Sequence, residues 1–246
     1  MLELKKQKIN IKLYISILVI IFAMIIVFFL MFKYSVEGEN VPAFKISKMV
    51  VISSAKTQNL QLQNQIYTAD VLQNNDIKIL IEKNPEYKKD AVIKKVIINN
   101  IQINPQETKG NIEIYRPSKG ERLYEYVDQY KLNDEIEYLG KQETYLKGDN
   151  LEISNQGGIV EFSIIANNLG TISYNENEIV LVDGTLLNRL GIEEIKYQVK
   201  FDLILELENE TKLKTKITLD LPVGDILENG IENIEQTNLK TVFKRI

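Results

Sequence analysis

The feature that most constrains this chain is an uninterrupted apolar run near its start. Residues 13–32 (LYISILVIIFAMIIVFFLMF) are twenty residues without a charge, bracketed by Lys12 and Lys33. A helix of this length spans about 30 Å, which is the thickness of the hydrocarbon core of a bilayer. Core helices of soluble proteins keep a polar face, and this run offers none. It therefore predicts a transmembrane helix.

The same run is too long for a cleaved signal peptide, whose apolar region has about 7–15 residues and precedes a pair of small residues. The residues that follow, 33–37 (KYSVE), contain no such pair. We therefore expect an uncleaved, single-pass signal-anchor. Four lysines within residues 1–12 favour a cytoplasmic tail there, with the rest of the chain outside the cytoplasm and the helix in the cell membrane.

Beyond the helix, the sequence predicts a short linker and then a mainly β domain. Gly38 and Pro42 interrupt regular structure in the linker, residues 33–43, and residues 44–246 form the predicted extracytoplasmic domain. Strand-like patterns lie at residues 44–53, 76–82, 96–103, 111–116, 151–154, 159–165 and 241–245. A β-sandwich-like domain accounts for this pattern, and we favour it over two small β lobes.

Two short helices are predicted within the β domain. Asn84 and the proline after it form a helix start, which predicts a helix over residues 85–95. Asp183 precedes and Gly191 follows a second predicted helix over residues 184–190. Residues 155–158 (NQGG) predict a turn between two strands.

The clearest pattern is a hairpin over residues 195–221, in which apolar side chains occupy alternate positions. It predicts one buried and one solvated face. Partners across the hairpin share a face, so its loop must contain an odd number of residues. A three-residue loop at residues 208–210 places Glu206 opposite Lys212, and a five-residue loop places Glu206 opposite Lys214. Both give opposite-charge pairs, so both registers remain open.

Composition removes several classes of function. The sequence contains no His and no Cys, which excludes disulfides, thiol nucleophiles, imidazole-based triads and zinc sites built on these residues. The residues after Phe32 hold 26 basic and 33 acidic side chains, so nucleic acid is not an expected partner. The sequence nominates no catalytic, cofactor-binding or metal-binding residue, and we expect no cofactor.

Four short motif matches are better explained by structure than by chemistry. Residues 53–56 (SSAK) match a serine–lysine signature, but they close a predicted strand and lack its partner motifs. Residues 148–150 (GDN) match three letters of a signal-peptidase box, and residues 221–224 (LPVG) part of a sorting signal. We interpret these as a turn and a strand stop, and residues 182–185 (VDGT) as a helix cap.

The acidic and tyrosine-rich residues 121–143 have two interpretations. They are a binding surface for a sugar or a partner, or a solvated connection whose aromatic rings pack on the sheet, which we favour. A pair of catalytic carboxylates requires neither His nor Cys, so the sequence neither excludes nor nominates one.

Several segments carry a family resemblance. The span, the linker and residues 153–160 (ISNQGGIV), 167–170 (NNLG) and 219–224 (LDLPVG) resemble uncharacterised single-span surface proteins of AT-rich Gram-positive bacteria. The resemblance implies no activity. We therefore expect a non-enzymatic, membrane-tethered binding or structural domain, with an envelope glycan or a protein as partner. The alternatives are a carboxylate-dependent cell-envelope hydrolase and an accessory subunit of a membrane complex.

Overall fold

The fold was analysed in a computed structural model of the chain. It describes residues 11–36, 38, 40–63, 66–105, 110–117, 126–132, 135–143, 151–174, 183, 185–237 and 242–246. The first sheet has the strand order β10 (Ile231–Thr237), β1 (Phe44–Gln63), β2 (Ile66–Lys83), β7 (Gly157–Tyr174), β4 (Asn111–Tyr115). The second has the order β11 (Lys244–Arg245), β9 (Lys212–Leu221), β8 (Tyr197–Leu207), β3 (Ile93–Pro105), β5 (Ile136–Lys141), β6 (Glu152–Ser154). The helices are α1 (Ile11–Val36), α2 (Thr185–Arg189), α3 (Ile226–Asn229) and a 3₁₀ turn (Asp128–Tyr130).

The two sheets pack face to face, which confirms the predicted mainly β, sandwich-like fold. Within each sheet the described strands pair antiparallel, except that β5 and β6 are parallel. One apolar core takes side chains from both sheets. In it Phe162 of β7 meets Phe201 of β8 edge to face, with ring centroids 5.1 Å apart and planes at 84°. Such a contact adds to the burial of both rings.

Helix α1 is apolar, and its side chains from Ile15 to Lys33 are exposed. Its stretch from Ile15 to Lys33 is long and apolar enough to cross a membrane, and none of it is buried against the described protein. The helix continues to Val36, four residues past the predicted span. An N-terminal apolar helix is therefore present where the sequence predicted one.

The three central strands of the first sheet are longer than their sequence patterns indicate. β1 extends to Gln63 and β2 starts at Ile66, so this hairpin reaches beyond the second sheet. Helices α2 and α3 cover its far half, where a smaller core includes Ala55, Val71, Tyr174, Leu186 and Ile226. The alternation of apolar residues did not predict the far half of these strands, because helices α2 and α3, and not a second sheet, pack on it.

The predicted hairpin is confirmed as β8 and β9, with the shorter of the two loops. Glu206 lies opposite Lys212, and the Leu207 N–H donates to the Thr211 carbonyl at 2.9 Å. Residues 208–210 are therefore the loop. The outer face of β8 differs from the expectation, since Asp202, Ile204 and Glu206 are at most 9 % exposed. Long lysine side chains on the flanking strands cover these positions.

The predicted helix over residues 85–95 is wrong. Residues 85–86 form a single turn in which the Asn84 Oδ1 accepts from the Glu86 N–H at 3.1 Å, and strand β3 begins at Ile93. Ile93 and Val96 are fully buried in the main core. Burial of these β-branched side chains between the sheets outweighs the local helix-start signal.

The second predicted helix, the turn after β6 and the last strand are present in the structure. Helix α2 lies inside the predicted residues 184–190, although Gly184 is outside the described residues. The turn at residues 155–156 is present, but it passes from β6 in the second sheet to β7 in the first. Gly157 makes this crossing at φ 119°, where a Cβ would lie 2.4 Å from the Ile81 carbonyl oxygen. The last strand is confirmed as the short edge strand β11.

The Phe162–Phe201 contact gives a direct test of the sandwich. Phe201→Ala should lower the free energy of unfolding by about 3–5 kcal/mol, because it leaves a cavity where the two sheets meet. Urea unfolding of the full chain in detergent, followed by tyrosine fluorescence, measures this. The matched control is Leu62→Ala, whose side chain is 56 % exposed near the end of the β1–β2 hairpin, with an expected change within about 0.5 kcal/mol. Equal effects would contradict the two-sheet core.

Candidate functional site

A group of polar side chains lies on the face of the first sheet that points away from the second. We call it the outer-face cluster and define it as Ser54, Asn74, Asp76 and Ser163. Ser54 of β1 pairs with Asn74 of β2, and Asp76 of β2 pairs with Ser163 of β7. Because side chains alternate along a strand, Asn74 and Asp76 share one face and stand side by side. Three strands thus bring these four groups together.

Two tyrosines cover the cluster. The Tyr126 hydroxyl donates to the Asn74 Oδ1, which also accepts from the Ser163 Oγ at 2.8 Å. The Tyr126 ring meets the Tyr115 ring edge to face, with centroids 5.4 Å apart. Burial and the nearby charge of Asp76 raise the pKa of Tyr126, so its hydroxyl remains a donor at neutral pH.

Three polar atoms of the cluster are buried without a partner among the described residues. They are the Ser54 Oγ, the Asn74 Nδ2 and the Asp76 Oδ1. Ser54 and Asn74 are 0 % exposed, whereas the Asp76 side chain is 14 % exposed and its Oδ2 lies 3.9 Å from the Lys56 Nζ. Each unsatisfied buried group costs about 1–3 kcal/mol. The cluster therefore offers a donor, an acceptor and a hydroxyl for a further group.

A second polar group on the same face is anchored by Glu113. Its carboxylate accepts from the Tyr115 hydroxyl at 2.7 Å, from the Asn167 Nδ2 at 2.6 Å and from the Lys131 ammonium. Burial opposes ionisation of Glu113, but these three donors hold its pKa below the usual value. Glu113 is therefore ionised and fixes Tyr115 next to Tyr126.

The opposite face of the same strands carries a polar network, the inner network, whose hydrogen bonds connect both sheets. The Ser53 Oγ donates to the Asn75 Oδ1 at 2.6 Å and accepts from the Val223 N–H at 2.9 Å. The Asn75 Nδ2 donates to the Tyr197 hydroxyl, and Gln73 exchanges two hydrogen bonds with the backbone of Ile195. These bonds stabilise the packing of the sheets, because fully paired buried polar groups give specificity.

The alternation of side chains along β1 separates the two residues of the SSAK motif, Ser53 and Lys56. The prediction that residues 53–56 close a strand is wrong, since they lie in the middle of β1. Ser53 belongs to the inner network, whereas Lys56 contacts Asp76 on the outer face. The two residues of the motif therefore lie on opposite faces of the sheet and do not form a Ser–Lys pair.

The remaining motif matches have structural roles or lie outside the description. Asp183 caps α2, with its Oδ1 accepting from the Thr185 N–H at 2.7 Å. β9 ends at Leu221, as the strand-stop interpretation predicted. Residues 148–150 lie outside the described residues.

The tyrosine-rich segment behaves in part as expected. Tyr126 and Tyr130 pack against a small apolar cluster on the outer face of the first sheet, around Leu72, Tyr115 and Ile165. This agrees with the favoured interpretation for those two rings. Residues 121–125 and 133–134 of this region lie outside the described residues.

The outer face of the second sheet carries paired charges rather than a catalytic pair. Glu206 accepts from the Lys94 ammonium at 2.9 Å and lies 3.4 Å from that of Lys212. Asp202 accepts from the Lys214 ammonium at 2.8 Å and from Asn100 at 3.0 Å. Hydrogen bonding from Lys94 lowers the pKa of Glu206, and that of Asp202 is lowered because its donors outweigh its burial.

The lowered pKa values are relevant to the hydrolase hypothesis, which requires a carboxyl group with a raised pKa that faces a second carboxyl group. Within the described residues, the carboxyl groups with shifted pKa values are Glu113, Asp202 and Glu206, and all three are lowered. The described part of the chain also contains no group of three acidic side chains placed to hold a metal ion. These three carboxyl groups therefore give the hydrolase hypothesis no support, and it stays a prediction.

Sequence reasoning did not find the outer-face cluster. Its members lie up to 109 positions apart along the chain, and only the strand pairing brings them together. A signal was nevertheless present, because residues 73–76 (QNND) are four consecutive polar residues in the interior of β2. A polar run inside a buried strand requires partners on both faces of the sheet.

No protein-family model, curated protein or solved structure matches this chain. The family resemblance carried by residues 153–160, 167–170 and 219–224 therefore stays a prediction. The chemistry of the outer-face cluster, together with the apolar helix α1, is the basis on which a function can be argued.

The adjacent serines provide a matched test of the two faces. Ser53→Ala should lower the free energy of unfolding by about 1–3 kcal/mol, because it leaves the Val223 N–H and the Asn75 Oδ1 without their partner. Ser54→Ala should leave it unchanged or raise it, because the lost hydroxyl has no partner among the described residues. Urea unfolding of both variants in detergent measures the difference. A larger loss for Ser54→Ala would contradict the assignment of faces.

The lowered pKa values of Asp202 and Glu206 predict how stability depends on pH. A carboxyl group whose pKa is lower in the folded chain stabilises the fold above its unfolded pKa, about 4, and loses that effect as pH falls through the folded pKa. The free energy of unfolding should therefore decrease below about pH 5. Glu206→Gln should make this decrease shallower, whereas Glu86→Gln, in an exposed turn, should not. Denaturant titrations between neutral and acidic pH test this, and parallel slopes for wild type and Glu206→Gln would refute it.

Proposed function

We propose that this protein is a non-enzymatic, membrane-tethered binding module that presents its β-sandwich outside the cytoplasm. In this proposal the outer-face cluster binds an acetamido-bearing glycan of the cell envelope. The observation that carries the proposal is the set of three buried polar atoms, on Ser54, Asn74 and Asp76, that have no partner among the described residues.

The chemistry of these atoms fits an acetamido group. The Asn74 Nδ2 can donate to its carbonyl, the Asp76 Oδ1 can accept from its N–H, and the Ser54 hydroxyl can bond a neighbouring sugar hydroxyl. Asp76 is the partly exposed member of the cluster, and the neighbouring Lys56 is also partly exposed, so access runs past these two side chains. The cluster lies on a sheet face rather than at an edge, where an extended peptide would pair its backbone. A pendant group on a sugar fits this position better than a peptide strand.

The tether is supported by helix α1. Its apolar side chains from Ile15 to Phe32 are exposed, which water disfavours and a bilayer requires. The lysines within residues 1–12 favour a cytoplasmic N-terminus, which would hold the sandwich on the outer side. An accessory role in a membrane complex stays an untested prediction.

The binding proposal is tested with two disaccharides of the same linkage. Full-length protein in detergent is titrated calorimetrically with N,N′-diacetylchitobiose and with cellobiose, which has hydroxyl groups in place of both acetamido groups. We expect binding of the first and much weaker binding of the second. Ser54→Ala and Asp76→Ala should each weaken binding about tenfold, since a lost hydrogen bond of about 1.4 kcal/mol has that effect.

The matched control for these variants is Glu82→Gln, which removes an exposed carboxylate from the same strand, β2. It should leave the affinity for N,N′-diacetylchitobiose unchanged. Ser54→Ala keeps the fold by the argument above, so loss of binding in this variant cannot be attributed to unfolding. Absence of binding to N,N′-diacetylchitobiose, or equal binding by all variants, would overturn the glycan proposal.

A further inference from the structure

The C-terminal end of helix α1 and Gly38 pack closely against the last described strand, β11, and the residues before it. Two residues beyond the end of α1, Gly38 has a φ of 85°, and a Cβ there would lie 2.4 Å from the Val242 Cγ1 and 2.7 Å from the Phe243 carbonyl oxygen. α1 also contacts β11. Gly38 is therefore packed against the sandwich, in a segment that the sequence predicted to be a short linker.

The surface at this junction combines apolar and basic side chains. Val41, Val242 and Ile246 are 37, 52 and 62 % exposed. Lys244 and Arg245, which lie between Val242 and Ile246 in the sequence, are also exposed. Phe243, by contrast, is 1 % exposed and anchors the segment in the main core, and the Ile246 N–H donates to the Lys212 carbonyl at 3.0 Å. We call residues 242–246 the seating segment.

We propose that the seating segment lies in the lipid headgroup layer next to α1, so that the sandwich rests on the bilayer in one orientation. This inference rests on the proposed membrane span. The headgroup layer extends about 5–8 Å on each side of the hydrocarbon core. From Lys33 to Val36 the helix rises about 5 Å. The Gly38 contact with Val242 therefore falls at headgroup depth.

Charge and apolarity favour the same arrangement. The side chains of Lys244 and Arg245 can approach lipid phosphates, while Val242 and Ile246 enter the boundary between headgroups and acyl chains. The chain beyond Phe32 is acidic overall, with 33 acidic against 26 basic residues, so an anionic surface repels the remainder of the domain. Glu208 and Glu210 in the neighbouring loop moderate the attraction, and the apolar side chains carry the contact.

A fixed seat determines where the rest of the sandwich lies. Strand β1 starts at Phe44, close to this junction, and runs twenty residues to Gln63. At about 3.3 Å per residue this is about 65 Å of extended chain. We therefore expect the far end of the β1–β2 hairpin, with Leu62, to lie away from the lipid, and we use Leu62 as the matched control position.

Because the sequence contains no Trp, the fluorescence of a single introduced tryptophan reports on that position alone. Val242→Trp, Leu62→Trp and Phe28→Trp are placed singly in the full chain, which is incorporated into nanodiscs containing phosphatidylglycerol and brominated phosphatidylcholine. The Phe28→Trp probe in α1 should be quenched strongly. Val242→Trp should also be quenched and emit at shorter wavelength, whereas Leu62→Trp should show neither effect.

The outcomes separate the two proposals. If Phe28→Trp is not quenched, α1 does not span the bilayer, and the proposed tether fails together with the seat. If Phe28→Trp is quenched but Val242→Trp behaves like Leu62→Trp, the tether stands and the seating proposal is overturned.

A second pair of variants tests the contact at Gly38. On the Val242→Trp background, Gly38→Val should reduce lipid quenching, because its Cβ would lie 2.7 Å from the Phe243 carbonyl oxygen and would push the end of α1 away from the seating segment. Gly191→Val is the matched control, since Gly191 also has a positive φ of 64° but no atom lies within 4 Å of the added Cβ. Quenching should persist in the control. Unchanged quenching in Gly38→Val would refute the role of this contact.

Discussion

The pleat of the β-strand is the constraint on which the polar chemistry of this protein depends. Successive side chains of β2 point to opposite faces, so its polar run is divided between two environments. Gln73 and Asn75 face the second sheet and are hydrogen-bonded to the Ile195 backbone and the Tyr197 hydroxyl. Asn74 and Asp76 face outwards, and each has an atom without a partner among the described residues. The same alternation separates Ser53 from Ser54 on β1.

The two sheets satisfy this constraint with one large core. Face-to-face packing around Phe162 and Phe201 buries the apolar residues of both inner faces, and the inner network adds directional bonds at the edge of that core. Its groups are paired within the protein, so it stabilises the sandwich. The outer-face cluster has three buried polar atoms without a partner among the described residues, and for that reason we assign the proposed ligand to it.

Helix α1 and the sandwich are connected by packing as well as by the chain. Gly38 fits against Val242 and Phe243 because it has no side chain, and Phe243 is itself part of the main core. A domain seated in this way would hold the outer-face cluster at a defined height above a bilayer. The proposed tether and the proposed binding cluster would then belong to parts of the chain that pack against each other.

The sequence alone determined the elements with a strong local period. Twenty apolar residues specify α1, and the alternation over residues 195–221 specifies the β8–β9 hairpin. Only the tertiary structure decided between the three- and five-residue loops, replaced the predicted helix at residues 85–95 by a turn and a strand, and assembled the cluster from β1, β2 and β7. The last two depend on contacts between residues distant in sequence, whose burial outweighs the few tenths of a kcal/mol that local preferences supply.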